Sequence, residues 1–192
     1  VASAKLGQFL GFKVIAIGGS AVSNGMYGMG DYGMATVSEL IEFATRVAAA
    51  IEVPLIADAD DGGGNPMNVY RAIQRYARAG VGAVLLEDLT GAKHVPNRPE
   101  ATLVSVAGHV DKIRAAIEAR GADGPCILAR SDALSKNEPF DQVLKRVMAY
   151  AEAGAELIMV SGATPEQLQK AAEATGKAIF TVGGGSNTAD VL

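Results

Sequence analysis

Pro54-Leu55-Ile56-Ala57-Asp58-Ala59-Asp60 is an apolar run that ends in two carboxylates two positions apart. A short, continuously apolar segment bounded by Gly, Pro or Asp reads as a strand buried on both faces. Side chains alternate along a strand, so Asp58 and Asp60 are expected on one face at its carboxyl end. Runs of the same kind recur at 14–17, 83–87, 126–130, 157–160 and 178–182. Two of these also end in charge, as Leu86-Glu87-Asp88 and Ala129-Arg130-Ser131-Asp132.

Between the runs lie longer segments with helical spacing. Residues 37–51 place Leu40, Ile41, Ala44, Val47 and Ala48 on one side and Glu39, Glu42 and Arg46 elsewhere. Segments 67–79, 106–120, 140–153 and 165–175 read likewise, and Gly11, Gly80 and Gly154 stand where helices stop before the next strand. A repeated strand–helix unit predicts parallel strands joined by right-handed crossovers. An open doubly wound sheet would want G-x-G-x-x-G after a strand, a spacing that Gly18-Gly19-Ser20 and Gly183-Gly184-Gly185 do not supply. Charged strand ends favour instead an α/β fold of the (β/α)8 TIM type, in which many strand ends build one site. A full barrel has eight strands in about 250 residues. The six visible runs therefore predict an incomplete portion: residues 1–192 as a single barrel domain lacking the first strand and the C-terminal strands and helices.

The 192 residues are 49% apolar with no Trp, so the core should be built from Ala, Val, Ile and Leu. A formal charge of −4 without any Lys/Arg run argues against nucleic acid or an anionic membrane as partner. Cys126 is the only cysteine, so a reducing compartment is expected. No apolar stretch approaches the roughly 20 residues of a membrane span, and Val1-Ala2-Ser3-Ala4-Lys5 reads as helix and not as a signal peptide. A cytoplasmic protein is the expectation.

Three strands thus deliver Asp58, Asp60, Glu87 and Arg130 to one end of the sheet. Three acids against one arginine form an under-neutralised oxygen-rich cluster of the kind that suits Mg2+ or Mn2+. The alternative is that these acids cap helices or pair with Arg130. Gly18-Gly19-Ser20 follows another strand, and its backbone amides could form an anion site. The glycine-rich loop Gly62-Gly63-Gly64-Asn65-Pro66 is either a phosphate cradle or a plain turn. His94, beside Lys93, lies after Glu87 where it could meet an anionic substrate. His109 reads as a surface residue on the polar side of a helix, Cys126 as core filler, and Ser161 lacks the partners of a nucleophile.

These motifs resemble the isocitrate lyase and phosphoenolpyruvate mutase superfamily. Its D-A-D-x-G-x-G-N signature is matched by Asp58-Ala59-Asp60-Asp61-Gly62-Gly63-Gly64-Asn65, its glutamate strand by Leu86-Glu87-Asp88, and its arginine strand by Ala129-Arg130-Ser131-Asp132-Ala133. Glu87-Asp88-Leu89-Thr90-Gly91-Ala92-Lys93 is similar to methylisocitrate lyases in particular. The resemblance implies a (β/α)8 barrel and a homo-oligomer, by family habit a tetramer. It implies Mg2+ near Asp58, Asp60 and Glu87, partly through water, and a small carboxylate substrate chelated to the metal. Asp58, Lys93, His94 and Arg130 would then be catalytic. Gly18, Gly19, Ser20, Asp31, Asn97 and Arg130 would bind the substrate, and the shared chemistry would be stabilisation of an enolate.

Three departures bear on the reaction. Val95 stands where lyases of the family carry the cysteine that protonates the product enolate, Gly63 replaces a tyrosine, and Gly18 replaces a serine. Branches that the resemblance links with a missing cysteine include oxaloacetate decarboxylases, phosphonopyruvate hydrolases and phosphonomutases. The expected activity is Mg-dependent C–C cleavage of a small 2-hydroxy or 2-oxo dicarboxylate. The alternatives are a phosphonomutase or phosphonopyruvate hydrolase, or a degenerate member that only binds an acid. The loop 91–99, with Gly91 at its start and Pro96 and Pro99 near its end, is expected to act as a lid.

Overall fold

The computed structural model describes residues 1–91 and 101–181. In chain order, helix α1 (Ala2–Phe9) leads into β1 (Ile15–Ile17) and α2 (Gly19–Tyr27), then α3 (Val37–Ala48) into β2 (Leu55–Asp58), and α4 (Pro66–Arg78) into β3 (Ala83–Glu87). A short pair, β4 (Leu89–Thr90) and β5 (Thr102–Leu103), precedes α5 (Val106–Arg120) and β6 (Cys126–Ser131). The chain continues through α6 (Phe140–Glu152), β7 (Leu157–Val160), α7 (Pro165–Thr175) and β8 (Ala178–Ile179). Local sequence explains the helix starts. Thr36 and Glu39 form a capping box on α3, and Asn65 accepts from the amides of Met67 and Asn68 with Pro66 in the first turn of α4. Asn65 therefore engages the first free amides of α4, and the glycine loop forms the entry to that helix.

Six strands pair in parallel in the order β1-β2-β3-β6-β7-β8, and the sheet curls into a half-barrel with β1 and β8 at its two edges. Alternate residues face opposite ways. On the convex side Leu55, Ala57, Val84, Leu86, Ile127 and Ala129 join Ile73 and Tyr76 of α4 and Val147 and Tyr150 of α6 in the main core. On the concave side Leu85, Leu128 and Met159 form a second cluster against Ile56 and Phe180. Each fully buried Leu or Ile in these layers stabilises by about 1.5–3 kcal/mol. Counting on by two from Ile56, Leu85 and Leu128 reaches Asp58, Glu87 and Arg130, so the same alternation that builds the concave apolar floor sets the charges above it.

Asp60 departs from the alternation expected of it. The strand ends at Asp58, and Asp60 has φ +49, a left-handed conformation that Asp tolerates better than most residues. Its carbonyl still accepts the Glu87 amide at 2.9 Å, which ties this turn to β3. His109 is also corrected: it is fully buried, together with Lys112, because α5 packs between α4 and α6. Cys126 is only half-buried, at the entrance of β6. Helix α2 was not foreseen, since Gly19 and Gly25 lower its propensity.

The end of β2 has a tether from behind. Tyr76 is fully buried, and its hydroxyl donates to the Asp58 carbonyl at 2.7 Å. Burial, then the nearby charges of Asp58 and Asp60, push its phenol well above the usual range, so it stays a donor. Tyr76→Phe is expected to cost about 1–2 kcal/mol by urea unfolding, the price of an orphaned carbonyl. An unchanged midpoint would show that the carbonyl finds another partner.

Candidate active site

The site grows from the carboxyl ends of β2, β3 and β6. Pairing places Asp58 beside Leu85 and Glu87 beside Arg130. Asp58 uses both oxygens on backbone donors: Oδ2 accepts from the Gly19 amide at 2.8 Å and Oδ1 from the Asp60 amide at 2.9 Å. The first donor is the N-terminal turn of α2, where the helix dipole also favours an anion. The Gly19 amide thus supports the Asp58 carboxylate. A Cβ on Gly19 would lie 3.2 Å from Asp60 Oδ1 and 3.5 Å from Asp58 Oδ2, so both acids crowd this buried glycine.

Arg130 reaches both neighbours. One guanidinium nitrogen lies 3.6 Å from Glu87 Oε2, and another donates to Asp132 Oδ1 at 2.7 Å. Burial pulls the guanidinium pKa down, but Asp132, then Glu87 and Asp58, more than offset it and hold Arg130 firmly charged. Glu87 has no exposed surface. Behind it Lys112 donates to the Asp61 carbonyl at 2.9 Å; burial lowers its pKa, while Asp61 and Glu87 raise it. Lys112 was missed in the sequence, although it falls on the 109–112–113–116 stripe of α5.

Asp58, Arg130, Gly18, Ser20 and Asp31 all border one cavity of about 520 Å3, floored by Ile56, Leu85, Met159 and Phe180. Asp132 and Ser135 also reach it, and neither was singled out from sequence. Asp60 does not line it; its carboxylate lies beside that of Asp58 at Gly19, and it borders a second cavity with Val37 and Gly63. Among the described residues no three acid, His or Cys side chains are grouped closely enough to hold one metal ion. Lys93, His94, Val95 and Asn97 lie outside the described residues, as does the rest of the expected lid beyond Gly91. The antiparallel pairing of Leu89 with Leu103 and of Thr90 with Thr102 brings the two flanks of that segment together beside the site.

The profile of the phosphoenolpyruvate phosphomutase family matches residues 1–191. The chain belongs to this family. It is 34% identical to a 2-methylisocitrate lyase of Shewanella oneidensis over 84% of the chain and 55% of that protein. Identity to an oxaloacetate decarboxylase of Pseudomonas fluorescens is 39%, over 89% of the chain and 58% of the relative. The chain thus spans little more than half the length of these relatives. Among solved structures, 2,3-dimethylmalate lyase, a member of the phosphoenolpyruvate mutase/isocitrate lyase superfamily, superposes with a TM-score of 0.84 at 27% identity, over 97% of this chain and 66% of that one. Phosphonopyruvate hydrolase in complex with oxalate and Mg2+ gives 0.76 at 30% identity, over 92% and 61%. The phosphomutase family resemblance read from the Asp58, Glu87 and Arg130 motifs is therefore sound, and so is the half-barrel as a portion of a TIM-type fold. No described helix is long and apolar enough to cross a membrane.

Proposed function

We propose that this chain is the catalytic portion of a Mg2+-dependent lyase that cleaves a C–C bond in a small 2-oxo or 2-hydroxy dicarboxylate, with oxaloacetate the first substrate to test. The observation that carries the reading is the convergence of Asp58 and Arg130 on one apolar-floored cavity, with Asp60 beside Asp58 at Gly19 and Glu87 paired to Arg130.

Asp58 and Asp60 crowd Gly19 and offer the carboxylate oxygens that a hard divalent cation prefers; with no third acid grouped beside them among the described residues, Glu87 would reach the ion only through water. Mg2+ or Mn2+ would be held by Asp58, Asp60 and Glu87, in part through water, and would supply Lewis-acid polarisation of the 2-oxo group. The oxalate and Mg2+ in the phosphonopyruvate hydrolase structure support this choice. Arg130 binds a substrate carboxylate and stabilises negative charge as it develops during bond cleavage. The hydrogen bond from Arg130 to Asp132 fixes the guanidinium plane, so little reorganisation accompanies the reaction. Ile56, Leu85, Met159 and Phe180 keep water from the carbanionic carbon. Gly18, Ser20 and Asp31 orient the remainder of the acid, and Lys93, His94 and Asn97 are assigned to substrate from their place in the motif.

Val95 in place of the cysteine acid favours decarboxylation over cleavage of a methylisocitrate, in keeping with the identity to oxaloacetate decarboxylase. The test is a screen of the full-length protein with Mg2+ against oxaloacetate, methylisocitrate, dimethylmalate and phosphonopyruvate, read as pyruvate release. Oxaloacetate turnover that EDTA abolishes is the expected result. Release from phosphonopyruvate alone would move the assignment to the second reading, a phosphonopyruvate hydrolase, which its structural likeness favours. Stabilisation by Mg2+ and oxalate without turnover of any acid would mark a binding protein only. We propose a homo-oligomer on family grounds and a cytoplasmic location on the lone cysteine, Cys126.

A further inference from the structure

Asp88 directly follows Glu87, has no exposed surface, and borders no cavity near the substrate. It faces the helix side of the sheet, where a carboxylate is expensive unless it is well satisfied. Its partners are specific. The Asp88 amide donates to the Arg130 carbonyl at 3.0 Å. Oδ2 accepts from the Ser131 hydroxyl at 2.7 Å and the Tyr150 hydroxyl at 2.8 Å, and Oδ1 from the Asp132 amide at 2.8 Å. Arg146 stands 3.7 Å away and is itself held by Glu138 and the Val104 carbonyl. One residue therefore grips three consecutive positions, the last two of β6 and Asp132 just beyond it, and those positions bracket the guanidinium of Arg130 and the carboxylate of Asp132 that aims it.

We propose that Asp88 is a positioning residue for the reaction: through Ser131 and the Asp132 amide it sets the Asp132–Arg130 pair against Glu87 across the β3–β6 junction. The proposal rests on the reading of Arg130 as the group that meets substrate. An isolated structural role would need only that something fill the space between the sheet and α6. An apolar residue of similar size fills such space at no greater cost than a buried ion pair. The carboxylate adds direction, because its two oxygens accept from Ser131 at the end of β6 and from Asp132 just beyond it, and fix their relative placement. A shift of the Arg130 head by about 1 Å is enough to cost up to roughly 10²-fold in rate.

The experiment is a double-mutant cycle in the full-length protein with Mg2+, using Asp88→Asn, Arg130→Lys and the pair. Tyr150→Phe serves as comparator, since it removes a hydrogen bond from the same carboxylate on the α6 side and leaves Ser131 and Asp132 in place. Asp88→Asn is expected to lower kcat/KM for oxaloacetate about 10- to 100-fold, and to cost almost nothing more once Arg130 is Lys. Tyr150→Phe is expected to lower the melting temperature while leaving kcat/KM near wild type. Where Asp88→Asn does not fold, Ser131→Ala takes its place in the cycle. If wild type turns over none of the acids, the proposed function fails, and the cycle is read on the Kd of oxalate with Mg2+. Coupling there still supports the positioning role. Full additivity of Asp88→Asn and Arg130→Lys in either readout, or rate losses that merely follow melting temperature across all variants, would overturn it.

Discussion

Arg130→Ala is expected to lower kcat/KM for the proposed release of pyruvate from oxaloacetate by about 10²–10³-fold in the full-length protein, the loss typical when one preorganised charge-stabilising donor is removed. Two consequences separate this from a structural defect. Glu87 has no exposed surface, and Arg130 is one of its compensating charges. Its removal should therefore also destabilise the metal-free protein, by up to about 3 kcal/mol, less whatever Lys112 offsets from behind. Arg130→Lys keeps the charge but not the planar fork that reaches Glu87 and Asp132 together. It should recover most of the stability and little of the rate. Steady-state kinetics and urea unfolding on the two variants check both statements. A wild-type rate for Arg130→Lys would reduce Arg130 to a counter-ion for Glu87.

His109 carries the second large effect, on stability against acid. The ring is fully buried on α5, packed edge-on against Tyr150 with centroids 4.6 Å apart, and neither ring nitrogen has a hydrogen-bond partner among the described residues. Burial, then the positive charges of Lys112 and Arg146, push its pKa down from 6.5 to about 3. The sign follows directly. The unfolded chain binds a proton on this residue below pH 6.5, whereas the folded protein does not until about pH 3. The stability is thus fully present above pH 6.5 and is lost progressively as pH falls towards 3. At roughly 1.4 kcal/mol per pH unit, the loss reaches about 2–3 kcal/mol near pH 4.5. Asp88 works the other way: burial raises its pKa despite its hydrogen bonds, so its contribution is present at low pH and lost as pH rises through the folded value. A His109→Phe variant keeps the ring contact and removes the titration. Its melting temperature should fall less steeply than wild type between pH 7 and 4.5, and parallel curves would show that His109 is protonated in the folded state.

The strand runs were legible because burial on both faces leaves a mark that needs no knowledge of neighbours. The strand at Ala83–Glu87 is buried at every position, and its bounds match the apolar run residue for residue. Leu157–Val160, Val106–Arg120 and Pro165–Thr175 likewise match. Period-two alternation also carried Asp58, Glu87 and Arg130 to the same concave rim, since each strand's apolar floor residue lies two positions before its charge. What sequence reasoning mistook were residues whose role depends on partners far along the chain. Asp60 left the alternation because its turn closes onto the Glu87 amide. The amide of Gly19 meets Asp58, thirty-nine positions away, a contact that no local pattern announces. His109 lies on the buried stripe of α5, but its polarity argued for solvent; only the packing of α5 between two helices, which buries Lys112 with it above Asp61 and Glu87, overrides that reading.

The sequence by itself thus determined the alternating architecture and the three charged strand ends, because local periodicity and burial are properties of each segment alone. The tertiary structure alone decided which charge answers which: Asp132 and Glu87 on Arg130, the α2 amide on Asp58, and Ser131 and Tyr150 on Asp88. Hydrogen bonds and ion pairs act over a few ångströms in space, and the spacing of residues along a chain does not encode that distance.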